Sequence, residues 1–202
     1  SASSTSGATI LHRNNNFSNI TVTGATTISG WVSSDGGTAN KTYQNNTFSN
    51  ITGGTSSITI LSVSFGGGAG GNGNVLQGNT ISNITGQSSI TAISAGSSAT
   101  VASVFNNTIT NITSTGTGGT VIGITASTPT VSVYNNTIGT LATSGSASTA
   151  TGITCSSSTS STIRHNKIYD VSASAAGGSV FGITVSAGTT SNIYNNIVGD
   201  LR

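Results

Sequence analysis

Residues 45–51 read Asn-Asn-Thr-Phe-Ser-Asn-Ile, and versions of this heptad recur along the whole chain of 202 residues. Its second position is always asparagine, and the seven copies are Asn15, Asn46, Asn79, Asn107, Asn136, Asn166 and Asn196. Successive copies are 28 to 33 residues apart. A repeat of this length predicts a solenoid, because one unit cannot bury its own apolar side whereas stacked units bury a continuous core.

A second block follows each heptad and alternates apolar with small polar residues. Its clearest copies lie at residues 121–127 (Val-Ile-Gly-Ile-Thr-Ala-Ser), 151–156 (Thr-Gly-Ile-Thr-Cys-Ser) and 180–186 (Val-Phe-Gly-Ile-Thr-Val-Ser). This alternation is typical of a strand with one buried face. A third apolar run precedes each heptad, as at residues 131–134. Each repeat therefore predicts three short strands, and the many β-branched residues favour strand over helix.

These patterns predict an all-β fold, a single-stranded parallel β-helix of about seven coils with 28–33 residues each. Residues 1–202 are expected to form one β-solenoid domain. The first and last coils match the internal repeat, and solenoid ends normally need polar caps. The sequence therefore predicts either a segment of a longer repeat array or a subunit that assembles end to end.

The recurring asparagine has a structural explanation in this fold. Identical positions of stacked parallel coils lie about 4.8 Å apart, so asparagine side chains can pair amide to amide along the column. Asparagine also tolerates the left-handed backbone that a sharp corner requires. We therefore predict that the seven asparagines form a structural ladder.

The heptad together with the Gly-Ile-Thr-x-Ser block resembles the repeats of right-handed parallel β-helices of the pectin-lyase-like architecture. It is most similar to the Ser/Thr/Asn-rich tandem repeats of large secreted or surface proteins of Bacteroidetes-type bacteria. The resemblance covers essentially the whole chain, and it implies a right-handed coil and an extracellular or cell-surface location. Enzymes of that architecture use clustered aspartates with arginine or lysine on one face. No such cluster is visible here, so the resemblance implies the fold and not a lyase or hydrolase activity.

The composition excludes several classes of function. Ser (36), Thr (36), Gly (28) and Asn (21) make up about three-fifths of the chain, and only eight residues are charged, with a net charge of +2. A nucleic-acid partner requires a basic surface that these charges cannot provide. No apolar run approaches the roughly 18 residues of a membrane span. One cysteine, Cys155, excludes an internal disulfide and a cysteine-based zinc site. We predict no catalytic residue, metal site or cofactor.

Two groups of polar side chains have a chemical and a simpler interpretation. Asp170 and Asp200 are one repeat apart, in the column that begins with Asn19, so they could share a proton or bind a cation. The simpler interpretation is a polar turn column that Lys167, Arg164 or Arg202 neutralises. His165 stands where most other repeats have the first asparagine of the heptad, and a Ser-His-Asp hydrolase site could be imagined around it. Cys155 is predicted to be buried.

Aromatic residues precede several heptads at similar spacings. Tyr43, Phe105, Tyr134 and Tyr194 are predicted to form a stacked core or corner column, with a sugar-binding platform as the alternative. Trp31 lies on the inward phase of its strand and is predicted to join the core.

The outward phase of the second block predicts a flat face of small hydroxyl groups. Its members are Thr125, Ser127, Thr154, Ser156, Thr184 and Ser186, with Gly123, Gly152 and Gly182 placed in the same outward phase. Flat Thr-x-Thr arrays are the means by which β-solenoid ice-binding proteins organise water. An ordinary exposed strand, or a packing face against another solenoid, is the alternative.

The sequence thus favours a non-catalytic structural solenoid: a stalk, adhesin or filament of an extracellular or cell-surface protein. Ice binding and a polysaccharide-binding or carbohydrate-active β-helix are the two alternatives. The expected partners are further copies of the chain, end to end or laterally, and a surface polysaccharide or ice.

Overall fold

The computed structural model describes residues 8–34, 37, 39–65, 73–96, 101–157 and 159–202. Every regular element in these residues is a strand, and each strand pairs in parallel with the strand one coil further along the chain. Three parallel sheets result, and the chain passes through them in turn to form a β-solenoid. The predicted all-β parallel fold is confirmed. The described residues form six complete coils and two strands of a seventh, so the predicted number of about seven is slightly too high.

The strands of the first sheet, in order, are β1 (Thr9–Arg13), β4 (Asn40–Gln44), β7 (Asn74–Gln77), β10 (Val101–Phe105), β13 (Thr130–Tyr134), β16 (Ser160–Arg164) and β19 (Thr190–Tyr194). The second sheet contains β2 (Asn16–Thr21), β5 (Thr47–Thr52), β8 (Thr80–Gly86), β11 (Thr108–Ser114), β14 (Thr137–Thr143), β17 (Lys167–Ala173) and β20 (Ile197–Leu201). The third contains β3 (Ile28–Ser33), β6 (Ile58–Ser64), β9 (Ile90–Gly96), β12 (Thr120–Ser127), β15 (Thr149–Cys155) and β18 (Ser179–Val185).

The coils stack in register, so equivalent residues of the repeat form columns parallel to the solenoid axis. Ile84 pairs with Ile51 on one side and with Ile112 on the other, and all three side chains are completely buried. Burying one such aliphatic side chain stabilises the fold by about 1.5–3 kcal/mol. The core is therefore a bundle of aliphatic columns, which explains why the apolar residues recur at the repeat interval.

The first two coils have a more aromatic core than the later ones. Phe17 and Phe48 stack with their ring centroids 5.1 Å apart, and Trp31 meets Phe17 edge to face at 5.7 Å. Trp31 is partly buried against the core, as predicted. Further along, the core is aliphatic, and Cys155 is completely buried there, which confirms that prediction.

Two columns of left-handed residues shape each coil. One lies immediately before the ladder asparagines and turns the chain from the first sheet into the second, as at Asn45 (φ 54°) and His165 (φ 55°). The other lies inside the strands of the second sheet, as at Asn83 (φ 56°) and Thr140 (φ 52°). The left-handed backbone was expected at the ladder asparagine itself, and this was wrong. The corner strain falls on the preceding residue, which leaves the ladder side chain free to point inward.

Candidate functional site

The predicted asparagine ladder is present, and its five interior members are buried. Asn79 is typical: its backbone N–H and its side-chain Nδ2 both donate to Oδ1 of Asn107, at 3.0 and 2.9 Å. Its Nδ2 also donates to the carbonyl oxygen of Tyr43 in the preceding coil, at 3.0 Å. Side-chain links of this kind join all seven predicted asparagines, from Asn15 to Asn196. Because each interior amide satisfies several polar groups of its neighbours, the ladder cross-links adjacent coils without leaving a buried group unpaired.

A second, exposed ladder lies on the outer side of the second sheet. Nδ2 of Asn50 donates to Oδ1 of Asn19 at 3.1 Å, Asn83 donates to Asn50 at 3.0 Å, and Asn111 donates to Asn83 at 3.1 Å. Donation runs toward the first coil here, opposite to the buried ladder. Sequence reasoning placed these asparagines and the two aspartates in one column but did not predict that the asparagines form a ladder. The recurring asparagine at the sixth position of the heptad was the signal that could have revealed the ladder.

The exposed ladder forms one side of a groove that runs across the first four coils. The other side consists of the threonine two residues after each asparagine: Thr21, Thr52, Thr85 and Thr113. The groove has a volume of about 570 Å³, and its eight lining residues are all uncharged. It follows the line where the left-handed asparagine interrupts the pairing of each strand. A left-handed residue inside a strand bends it. The asparagine amide and the threonine hydroxyl of each coil therefore lie on opposite sides of the bend.

The column that contains the exposed ladder changes character after the fourth coil. Its next members are Thr140, Asp170 and Asp200. Arg202 forms an ion pair with Asp170, and its Nε lies 3.0 Å from Oδ1 of Asp200. The interpretation as a neutralised polar column is confirmed, with Arg202 as the partner. Of the other two cations considered, Lys167 lies 4.8 Å above the ring of Tyr169.

Tyr169 also covers the surface beyond the groove. A Cβ atom on Gly139 would lie 2.7 Å from Cε1 of Tyr169, so the ring rests directly on the backbone of the fifth coil. Beyond the groove, the outer side of the second sheet therefore carries the ring of Tyr169 and then Arg202, which is bound to two carboxylates.

The predicted hydroxyl face lies on the outer side of the third sheet. Thr125, Thr154 and Thr184 pair in register and form one column. Oγ1 of Thr184 lies 3.2 Å from Oγ1 of Thr154, so hydroxyl groups of adjacent coils contact one another. The partner column is at Ser127, Ser156 and Ser186, of which Ser127 and Ser186 are exposed and Ser156 is half-buried.

The predicted outward phase of Gly123, Gly152 and Gly182 was wrong. All three are buried, and a Cβ atom on Gly123 would lie 2.9 Å from Cγ2 of Ile138, on the core side. The strand changes phase at this glycine, which is followed by a second inward residue, so strict alternation fails there. The position before it is filled by Ile122, Thr151 and Phe181, of which Thr151 is buried and Phe181 is 45% exposed. The third sheet is therefore less uniform than the sequence predicted.

The aromatic column is confirmed in part. The rings of Phe105 and Tyr134 stack with centroids 4.6 Å apart and an angle of 5°, and Arg164 lies 4.4 Å above the Tyr134 ring. The outer column continues to Tyr194. Its ring faces point at neighbouring coils, which favours a structural stack over a sugar platform.

Tyr43 belongs to another column, which corrects that part of the prediction. It pairs with Leu76, is buried, and stacks on His12 at 4.8 Å. The reason is that Tyr43 stands three residues before its ladder asparagine, whereas the other aromatics stand two residues before theirs.

His165 lies in the exposed corner column, where its ring contacts a neighbouring arginine and an asparagine. Nδ1 is 3.2 Å from Nη1 of Arg164, and Nε2 is 3.4 Å from Nδ2 of Asn195. The position is one that other coils fill with a left-handed asparagine, as expected from the sequence.

In the described part of the chain, no three His, Cys, Asp or Glu side chains lie close enough together to hold a metal ion. The same residues contain no helix with the length and apolarity needed to cross a membrane. No protein-family model, curated protein or solved structure matches this chain.

Proposed function

We propose that the chain is a non-catalytic structural solenoid, a rod-like segment of a stalk, adhesin or filament outside the cell or on its surface. The observation that carries the proposal is the buried ladder, which links all seven coils through side-chain amides. Three in-register parallel sheets bind the same coils through their backbones. A rod built in this way resists extension, because lengthening it requires breaking ladder and backbone bonds together.

Mechanical unfolding of single molecules tests this proposal. Pulled from its two ends, the rod should unfold in steps of whole coils, and about 30 residues extend by about 100 Å. The variant Asn107→Ala should lower the force of the step at the fourth coil. Smooth extension at low force would argue against a load-bearing rod. Release of reducing ends from a panel of polysaccharides would argue against a non-catalytic role.

The finer parts of the proposal rest on the resemblance of the repeat. These are a relationship to pectin-lyase-like β-helices of Bacteroidetes-type bacteria, the right-handed sense of the coil, and the extracellular or surface location. Secretion of the full-length protein in its source cell, followed by protease accessibility on intact cells, tests the location.

We also propose that the solenoid associates in line with further coils or with a second copy. Val198 and Ile193 in the last two strands are 42% and 50% exposed, whereas Ile168 and Ile163 at the same columns of the preceding coil are completely buried. A neighbouring coil of the same type would bury them. Analytical ultracentrifugation of the chain, with Ile193→Asn as the disrupting variant, tests association with a second copy, and a monomer at all concentrations would contradict that association.

Ice binding is a second candidate, and it is favoured by the aligned threonine column on the third sheet. Thr125, Thr154 and Thr184 present hydroxyl groups at the coil spacing of about 4.8 Å. Thermal hysteresis measured on the chain should then fall strongly in Thr154→Tyr. The matched control is Thr52→Tyr, on the second sheet, which should keep full hysteresis. Absence of hysteresis in the unaltered chain would exclude this function.

A further inference from the structure

The groove between the exposed asparagine ladder and the threonine column is a site that the structural role does not use. We propose that it binds a neutral, unbranched polysaccharide lying parallel to the solenoid axis. The site spans four coils and about 570 Å³ on the outer side of the second sheet. It is a different surface from the hydroxyl face of the third sheet.

The groups in the groove match the hydroxyl groups of a sugar chain. Each interior ladder amide uses one N–H and one oxygen lone pair on its neighbours, as Asn50 does between Asn19 and Asn83. A primary amide has two N–H groups and two lone pairs, so each interior ladder asparagine keeps one donor and one acceptor beyond its ladder bonds, on a side chain that lines the groove. The threonine hydroxyl opposite adds a group that both donates and accepts. Sugar hydroxyls also do both, so every rung offers complementary partners.

The spacing of the rungs favours a sugar chain over a peptide. Rungs repeat at the coil spacing of about 4.8 Å, close to the advance of one pyranose ring with its glycosidic oxygen in an extended chain. An extended peptide advances about 3.3 Å per residue and would lose register with the rungs within two residues. The four rungs span about 14 Å, which accommodates about three consecutive sugar rings.

The absence of charge in the lining selects a neutral chain. None of the eight lining residues is ionisable, and Asp170 and Asp200 in the same column already bind Arg202. A polyuronate would find no cation in the lining to pair with its carboxylates, whereas a neutral chain needs none.

Calorimetric titration of the intact chain tests this proposal. The probes are hexasaccharides of β-1,4-linked glucose, mannose and xylose, with hexagalacturonate as the charged comparison. We expect at least one neutral hexasaccharide to bind with a dissociation constant on the order of 1 mM or below, and more tightly than hexagalacturonate. The double variant Thr52→Val, Thr85→Val removes two hydroxyls from the groove and keeps the β-branched shape. It should weaken that binding about tenfold or more.

The matched control carries Thr125→Val and Thr154→Val, which make the same change on the third sheet and should leave the affinity unaltered. Circular dichroism and the melting temperature establish that both variants are folded. Three results would overturn the proposal: no saturable binding of any neutral hexasaccharide up to about 10 mM, preference for hexagalacturonate, or loss of binding in the control but not in the groove variant. Each of these would leave the load-bearing role intact, since that role is tested by force.

Discussion

Asparagine recurs from coil to coil in three columns of the described solenoid, and its surroundings differ in each. Asn106 lies in the exposed corner column in a left-handed conformation, the adjacent Asn107 belongs to the buried ladder, and Asn111 belongs to the exposed ladder. The same side chain therefore relieves backbone strain, saturates buried polar groups or presents hydrogen-bonding groups to solvent.

The first prediction compares the two ladders. Asn107→Ala removes the acceptor of the Asn79 backbone N–H and the donor to the Leu76 carbonyl, so both groups lose a buried partner. The free energy of unfolding should fall by about 3 kcal/mol, since each unsatisfied buried group costs about 1–3 kcal/mol. Asn111→Gly keeps the left-handed backbone and loses only an exposed hydrogen bond, so it should cost less than about 1 kcal/mol. Chemical denaturation measures both, and equal losses would contradict the distinction.

The second prediction concerns Thr140, a β-branched residue at φ 52° in the column where other coils have asparagine or aspartate. A β-branched side chain in the left-handed region is strained, whereas asparagine is tolerated there. Thr140→Asn should therefore stabilise the chain by about 1 kcal/mol. The control Thr137→Asn, in the same strand but at an extended position, should not stabilise it. A lower melting temperature for Thr140→Asn would contradict this account.

At the scale of the strand, much of the arrangement could be predicted from the sequence. The three apolar runs of each repeat predicted three parallel strands per coil, and the ladder asparagine marks the register of each coil. The change of phase at Gly123 could not be predicted. A strict alternation of inward and outward residues assumes a regular strand, and this strand has two inward residues in succession where it packs against the second sheet. The column of Tyr43 was predictable, because its place three residues before the ladder asparagine, and not two, is visible in the sequence. The groove was missed because its concavity arises from a bend inside a strand.

The third prediction tests the bend in the third sheet. A Cβ atom on Gly152 would lie 2.6 Å from the carbonyl oxygen of Gly182 and 2.7 Å from Cγ2 of Ile168. Gly152→Ala should therefore destabilise the chain by about 1–3 kcal/mol through overpacking. Gly199→Ala is the control, because a Cβ atom there meets nothing within 4 Å. If the two variants melt at the same temperature, the inward orientation of Gly152 is wrong.

At the scale of the whole molecule, each coil contacts its neighbours through the same columns, so stability is expected to be a sum over coils and their interfaces. The fourth prediction uses this property. Deleting residues 107–135 removes one ladder interval of 29 residues and brings Asn136 into the place of Asn107. The shortened chain should fold with the same circular dichroism spectrum and a somewhat lower melting temperature.

Deleting residues 108–122 is the matched control for the coil deletion. It removes about half a coil, so the strands of the second and third sheets lose their columns and the ladder cannot continue in register. We expect this chain not to fold cooperatively. A cooperative transition for the half-coil deletion, or none for the whole-coil deletion, would contradict the additive description.

The buried ladder also gives the rod a polarity. All of its side-chain links donate from an earlier asparagine to a later one, so Asn15 lies at the donating start of the series and Asn196 at the accepting end. A segment joined in line would continue the series only if it kept the same direction, because the reversed order would bring two like groups together. Junctions between such rods therefore have a direction. A symmetric dimer, in which the same end of each copy meets the other, would have to interrupt the ladder.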